Sequence, residues 1–385
     1  MISLNYALVL ERAKQLLHLW EPRPLTPFGR ITVIKALISS KFVHLFTTIP
    51  SPGNDFIKEL STIVFSYLWQ HKPDKIKRSI VSQDYKQGGL KMIDIKCYMQ
   101  SLKLCWVERL FCSTKSCWKD VFEETISPIY KIAKFGTGWC KHVCSVVSNK
   151  FWIEILQTWT TFGNKLLCKS EIDVLSTPIW YNTSISNQNL FFPKWFKNGI
   201  EYVGDVVDSN MEFIDSTCLE EKYQIKSTNF LETHRLKLVI TKFIANCNFN
   251  NPVIFQRPVI SPQLRFVLSN KKRAKGYYQI QLDKSLDICV KLNEKWKNDL
   301  PSDLTEEDWS RIFTISLRVV NDNDIAWFQY RIIHRILGTQ SLLFKMSIKD
   351  SENCLLCDNF PSLPIDSKIF NGEQIYIKYK LQYET

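Results

Sequence analysis

The chain has 385 residues, with 50 Lys and Arg against 38 Asp and Glu, which gives a formal charge of +12. Aromatic residues at 13% imply that most of the chain folds rather than remaining disordered, and the length suffices for roughly two or three cored domains. The positive balance suits a polyanionic partner, because lysine and arginine neutralise phosphates and release counterions; no uninterrupted apolar run reaches the roughly eighteen residues of a membrane span.

The N-terminal stretch MISLNYALVLERAKQLL puts Glu11 and Arg12 where a secretory leader would continue its apolar core, and it lacks a small-residue cleavage site. We therefore expect an intracellular protein, nuclear or cytoplasmic, whose 12 cysteines are reduced and mostly act as small buried hydrophobes.

Thr26 followed by Pro27 reads as a helix start, with the Thr hydroxyl as cap and proline at the first position. Ile31, Ile34, Leu37, Ile38, Phe42, Leu45 and Phe46 then recur at spacings of three and four, while Arg30, Lys35, Lys41 and His44 fall on the opposite, wet face. Pro50, Pro52 and Gly53 stop this helix, and Asn54 is placed to cap a second one carrying Phe56, Leu60, Ile63, Val64, Tyr67 and Leu68. Trp69 closes it. A basic link follows, with Lys72, Lys75, Lys77 and Arg78, and Gly88 and Gly89 predict a tight turn or β-hairpin because glycine reaches positive φ without strain. The next helix starts near Asp94 and buries Leu102, Leu104, Trp106, Leu110 and Phe111.

Residues 113–250 are rich in tryptophan and read as short helices packed by aromatics. Cys140, His142 and Cys144 resemble metal ligands, but a helix would put the two cysteines on one face and turn His142 away, so incidental core cysteines are expected. Asparagines and Pro252, Pro258 and Pro262 mark a linker between Asn246 and Pro262, with a strand possible near residues 253 to 268. After it, Lys271, Lys272 and Arg273 precede Tyr277 and Tyr278, a mixture that suits phosphates held by charge and unpaired bases stacked on tyrosine. The block AWFQYRIIHRILGTQSLL from Ala326 to Leu343 has helical periodicity; His334 lies in it without a partner nucleophile at fixed spacing and reads as a helix-face histidine.

The order of motifs is more specific than any one of them. FGRITVIK, then WQHKPDKIKR, then DYKQGGLKMIDI resembles the region downstream of the polymerase active site in non-LTR (LINE-type) retrotransposon reverse transcriptases. The resemblance continues intermittently through Trp180, Tyr181 and Asn182, through Trp195 ahead of Gly199 and Ile200, and through FQYRIIHRIL to about Cys357. It implies a thumb that grips primer–template duplex through phosphates, and then a C-terminal region ending in a zinc module. Cys354 and Cys357 form a CxxC where that module would begin, but no cysteine or histidine follows them, so we expect a degenerate half-site and no bound metal or other cofactor. Two-metal polymerisation needs paired carboxylates, and the chain has no consecutive Asp-Asp; nor does it carry a Walker A loop, a GxSxG elbow or a HExxH helix.

The expectation is a mainly α protein: a thumb-like helical bundle with a short β-hairpin at 1–112, a Trp-rich region at 113–250, a looser helical region at 263–350, and a zinc-module remnant and tail at 351–385. Functionally it is a non-enzymatic fragment that binds RNA or DNA without sequence preference through Lys72, Lys75, Lys77, Arg78, Lys271, Lys272 and Arg273. An inert remnant or a protein-interaction scaffold is the alternative, and the tail of a polymerase whose catalytic part lies upstream is the third.

Overall fold

The computed structural model describes residues 2–112, 115–126, 130–165, 171–186, 189–226, 229–247, 255–257, 262–269, 273–282, 288–297, 304–319, 322–337, 344, 347, 350–351, 353–354 and 357–361. The described chain is mainly α, as the apolar periodicity implies. Among these residues, strand appears only where Asn353–Cys354 pairs antiparallel with Cys357–Pro361, with Cys354 opposite Cys357.

Helices Ile2–Trp20, Pro27–Thr48, Asn54–Leu68 and Ile95–Phe111 build the N-terminal bundle. Pro27 occupies the first helical turn, but the Thr26 hydroxyl makes no cap; the chain enters in extended conformation and proline, with no donor to satisfy, suffices. By length and composition Pro27–Thr48 could cross a membrane. Here its stripe of Ile31, Ile34, Ile38, Phe42 and Phe46 is instead buried in the bundle against Leu60 and Val64. A π-helical segment at Ile34–Ser39 interrupts it, and the hydroxyls of Ser39 and Ser40 donate to the carbonyls of Lys35 and Ala36 at 2.6 and 2.7 Å. The second helix begins at Asn54 itself, capped by the Gly53 position rather than by the Asn54 side chain.

Two charged residues lie inside this bundle. Arg30, expected on the wet face, is 2% exposed. Its guanidinium donates to the carbonyls of Leu25 and Tyr67, both at 3.1 Å, and lies over the Tyr67 ring. The second of these, Tyr67 O, lies in the last turn of helix Asn54–Leu68, where carbonyls lack the amide donor of a following helical turn. Lys103, fully buried, serves the end of helix Pro27–Thr48 likewise: its Nζ donates to Ile49 O at 2.6 Å and pairs with Glu154 Oε2 at 3.1 Å. Trp106 Nε1 adds a bond to Thr47 O at 2.7 Å.

The Gly88–Gly89 segment is not a β-hairpin. Tyr85–Gln87 is a 3₁₀ turn capped by Asp84, Gly88 follows at φ +72°, and the amides of Leu90 and Met92 both donate to Val81 O at 3.0 Å. The glycines supply close approach as well as turn freedom. A Cβ at Gly89 would stand 2.1 Å from Gln83 O, and one at Gly88 would stand 2.7 Å from the Phe313 ring. That ring belongs to helix Glu306–Val319, which with helix Asn323–Ile333 packs back onto the N-terminal bundle. Tyr330 OH donates to Gly88 O at 3.0 Å, and Trp327 meets Phe28 and Trp69. Gly88→Ala is expected to cost about 1–2 kcal/mol from the left-handed backbone alone and to displace Phe313, measured as a lower urea midpoint with altered Trp309 fluorescence.

Helix Ile95–Phe111 joins this bundle to the Trp-rich core: Ile95 lies in the first and Leu104, Val107 and Leu110 in the second. There the WYN segment is clamped by its backbone. Gly136 N donates to Trp180 O at 2.8 Å, Gly138 N to Tyr181 O at 2.5 Å, and buried Trp180 Nε1 to Ile200 O at 2.6 Å. Pro262–Ser269, within the stretch where a strand was possible, is helical and buries Leu264 and Val267.

Candidate nucleic-acid interface

The basic link starts from a fixed base. Helix Asn54–Leu68 ends in a Schellman arrangement, with His71 N donating to Ser66 O at 2.8 Å and Gln70 N to Tyr67 O at 3.3 Å; Gln70 sits at positive φ where glycine is the usual choice. The His71 ring bonds Ser66 Oγ on one side and the Glu21 carboxylate on the other. That bond holds the Glu21 carboxyl below its ordinary range. Ile76, buried in the bundle core, pins the middle of the link.

Lys72, Lys75, Lys77 and Arg78 are all exposed. They are not equivalent. Arg78 lies over Phe65 and its Nε bonds Asp74 Oδ2 at 2.7 Å, so its charge is already met. Lys72, Lys75 and Lys77 have no carboxylate in ion-pair range among the described residues. Partial desolvation lowers the Lys75 pKa, and the like charges of Arg331 and Lys72 lower it further. Sequence reasoning did not bring Arg331 to the link, since in FQYRIIHRIL it reads only as the polar side of a helix. The signal was there in Trp327, one turn earlier on the same face, whose ring meets Trp69 at 6.1 Å at the base of the link.

The second patch divides. Lys271 and Lys272 lie outside the described residues. Arg273 is exposed, with Nε 3.8 Å from Glu108 Oε1. The two tyrosines are not stacking platforms. Tyr277 is fully buried and donates to Val267 O at 3.1 Å, while Tyr278 OH accepts from Asp94 N at 2.9 Å. Burial raises the Tyr278 pKa. Both rings pack helix Ala274–Gln281 onto helix Ile95–Phe111, a use that basic–aromatic interleaving cannot distinguish from base stacking.

Other polar groups serve the fold. Cys140 is buried in helix Thr137–Cys144 and His142 is exposed, stacked on Tyr181, as helical geometry required. Burial raises the Cys140 thiol pKa. Among the described residues no three His, Cys, Asp or Glu side chains converge as a metal site; the side chains of Cys354 and Cys357 lie outside them. His334 is not on a solvent face but 3% exposed, between the Tyr330 and Phe313 rings.

No family model matches the chain. Part of it is 30% identical, over 123 residues, to a putative ribonuclease H protein of Arabidopsis thaliana. That stretch is 30% of this chain and 19% of the plant protein, so the similarity reaches a segment of a much longer relative with a nucleic-acid-related name.

Proposed function

We propose that the chain is a non-catalytic nucleic-acid-binding segment of a retroelement-type polymerase, gripping RNA or DNA backbones without reading sequence. The observation that carries this reading is the link itself: three exposed lysines, Lys72, Lys75 and Lys77, without carboxylate partners among the described residues, on a loop fixed at His71 and Ile76. The order of sequence motifs and the partial similarity to a putative ribonuclease H protein support it. An electrostatic grip of this kind has dissociation constants on the order of 10⁻⁴ to 10⁻⁶ M at physiological salt.

The test is anisotropy of a labelled RNA:DNA hybrid titrated at several KCl concentrations. Changing Lys72, Lys75 and Lys77 together to Gln should weaken binding several-fold at 0.1 M salt and reduce the log–log salt slope by about 2–3. A salt-independent interaction, or an unchanged slope in the triple variant, would sink the reading. Primer extension with Mg²⁺ and nucleotides is expected to give no product.

A scaffold reading also has an observation behind it. Leu4, Leu8 and Leu19 on helix Ile2–Trp20 are 59%, 56% and 66% exposed, as are Leu231 at 80% and Phe230 at 67% on helix Phe230–Cys247. Self-association that Leu4→Ser with Leu8→Ser abolishes, in a chain that fails the hybrid titration, would favour it.

A further inference from the structure

We propose that Lys72, Lys75 and Arg331 form one composite phosphate site, built from two segments about 255 residues apart in sequence and closed only when helix Asn323–Ile333 docks on the N-terminal bundle. The inference rests on the proposed function and adds to it the C-terminal helix as a necessary part of the grip. The Trp69–Trp327 contact, with centroids 6.1 Å apart, creates the juxtaposition. Trp69 is the cap from which the link departs, Lys72 N donating to Trp69 O at 3.1 Å, and Arg331 stands one turn after Trp327. The guanidinium lies 5.9 Å from the Trp327 centroid and 5.7 Å from that of Phe328, which preorganises it without neutralising it.

Two further observations point to an anionic ligand. Arg331 Nε is shielded from solvent and has no hydrogen-bond acceptor among the described residues. Among the described residues no carboxylate is in ion-pair range of Lys72, Lys75 or Arg331 either: Asp74 is taken by Arg78, and Asp322 is turned to the amides of Asp324 and Ile325 at the far end of the helix. Burial is the larger cause of the lowered Lys75 pKa, and repulsion from the like charges of Arg331 and Lys72 adds to it. A phosphate relieves that repulsion, the planar guanidinium offering paired donors and the lysines acting as point charges.

The full chain is compared with Arg331→Gln, Lys75→Gln, Lys77→Gln and the pairwise combinations, each first checked for a native unfolding midpoint. Arg331→Lys is included to keep the charge if the Gln variant folds poorly. Against the RNA:DNA hybrid, Arg331→Gln should reduce the salt slope by about 1 and weaken binding several-fold. Its effect should fall short of multiplicative with Lys75→Gln and be multiplicative with Lys77→Gln. In parallel, inorganic phosphate should raise the melting temperature of the unmodified chain more than chloride of equal ionic strength, and should not do so for Arg331→Gln. Hybrid binding by Arg331→Gln with unmodified slope and affinity overturns the composite site and leaves the link reading standing. If the unmodified chain does not bind the hybrid, the proposed function falls. The site then survives only as a free-phosphate site if the phosphate stabilisation depends on Arg331, and falls as well if it does not.

Discussion

Lys103→Ala should destabilise the protein by about 3–5 kcal/mol, the range for removing one partner of a buried ion pair. The loss is larger than that of one hydrogen bond because Lys103 answers two groups at once. Ile49 O, at the end of helix Pro27–Thr48, loses its donor at 2.6 Å, and among the described residues Glu154 keeps only the Ser51 amide at 2.9 Å. Burial lowers the Lys103 pKa and the Glu154 carboxylate pulls it back, so the ammonium depends on the geometry of its pair. Lys103→Met restores most of the packing but neither polar contact and should recover only part of the loss. Adding Glu154→Gln to Lys103→Met should recover more, since it removes the uncompensated charge. Urea unfolding of the four proteins checks this; a Lys103→Ala loss below about 1 kcal/mol would show that the pair is solvated in solution.

Lys103 and Arg30 also show why much of the fold was legible in the sequence while its polar interior was not. The helices at 27–48, 54–68 and 95–111 follow from spacing, because apolar side chains at i, i+3 and i+4 need only a common partner surface. Whether a cation on such a helix faces water depends on which orphan carbonyls another helix end brings to it. Arg30 meets Tyr67 O, 37 residues away, and Lys103 meets Ile49 O, 54 away. Periodicity carries no information about those encounters. Similar reasoning covers Gly88 and Gly89: the glycines were correctly read as backbone necessities, but the close approach they permit is to the Gln83 carbonyl and the Phe313 ring, not to a second strand. The basic link was legible because its lysines stay exposed. Arg331 was not, since its place depends on helix Asn323–Ile333 docking on the N-terminal bundle.

That docking has a titratable residue inside it, and we expect it to weaken in acid. His334 lies with its ring 4.3 Å from Tyr330 and 5.8 Å from Phe313, and its Nε2 has no acceptor or donor among the described residues. Burial depresses its pKa to about 4, with the Lys295 ammonium adding to the effect and a backbone contact at Gly88 opposing it. A histidine of lowered folded-state pKa binds its proton more readily when unfolded. Its contribution to stability is therefore complete above about pH 6.5 and is lost as pH falls from there towards 4. A shift from 6.5 to about 4 corresponds to about 3 kcal/mol, most of it gone by pH 4.5. His334→Phe keeps an aromatic ring between Phe313 and Tyr330 but cannot charge. Its unfolding free energy should fall less between pH 7.5 and 4.5 than that of the unmodified chain, the difference isolating His334 from the carboxylates common to both. Parallel pH profiles would show that the histidine is solvated. Because Arg331 stands on the helix that His334 holds down, the unmodified chain should also lose Trp327 fluorescence contact in acid before the N-terminal bundle unfolds, whereas His334→Phe should lose both together.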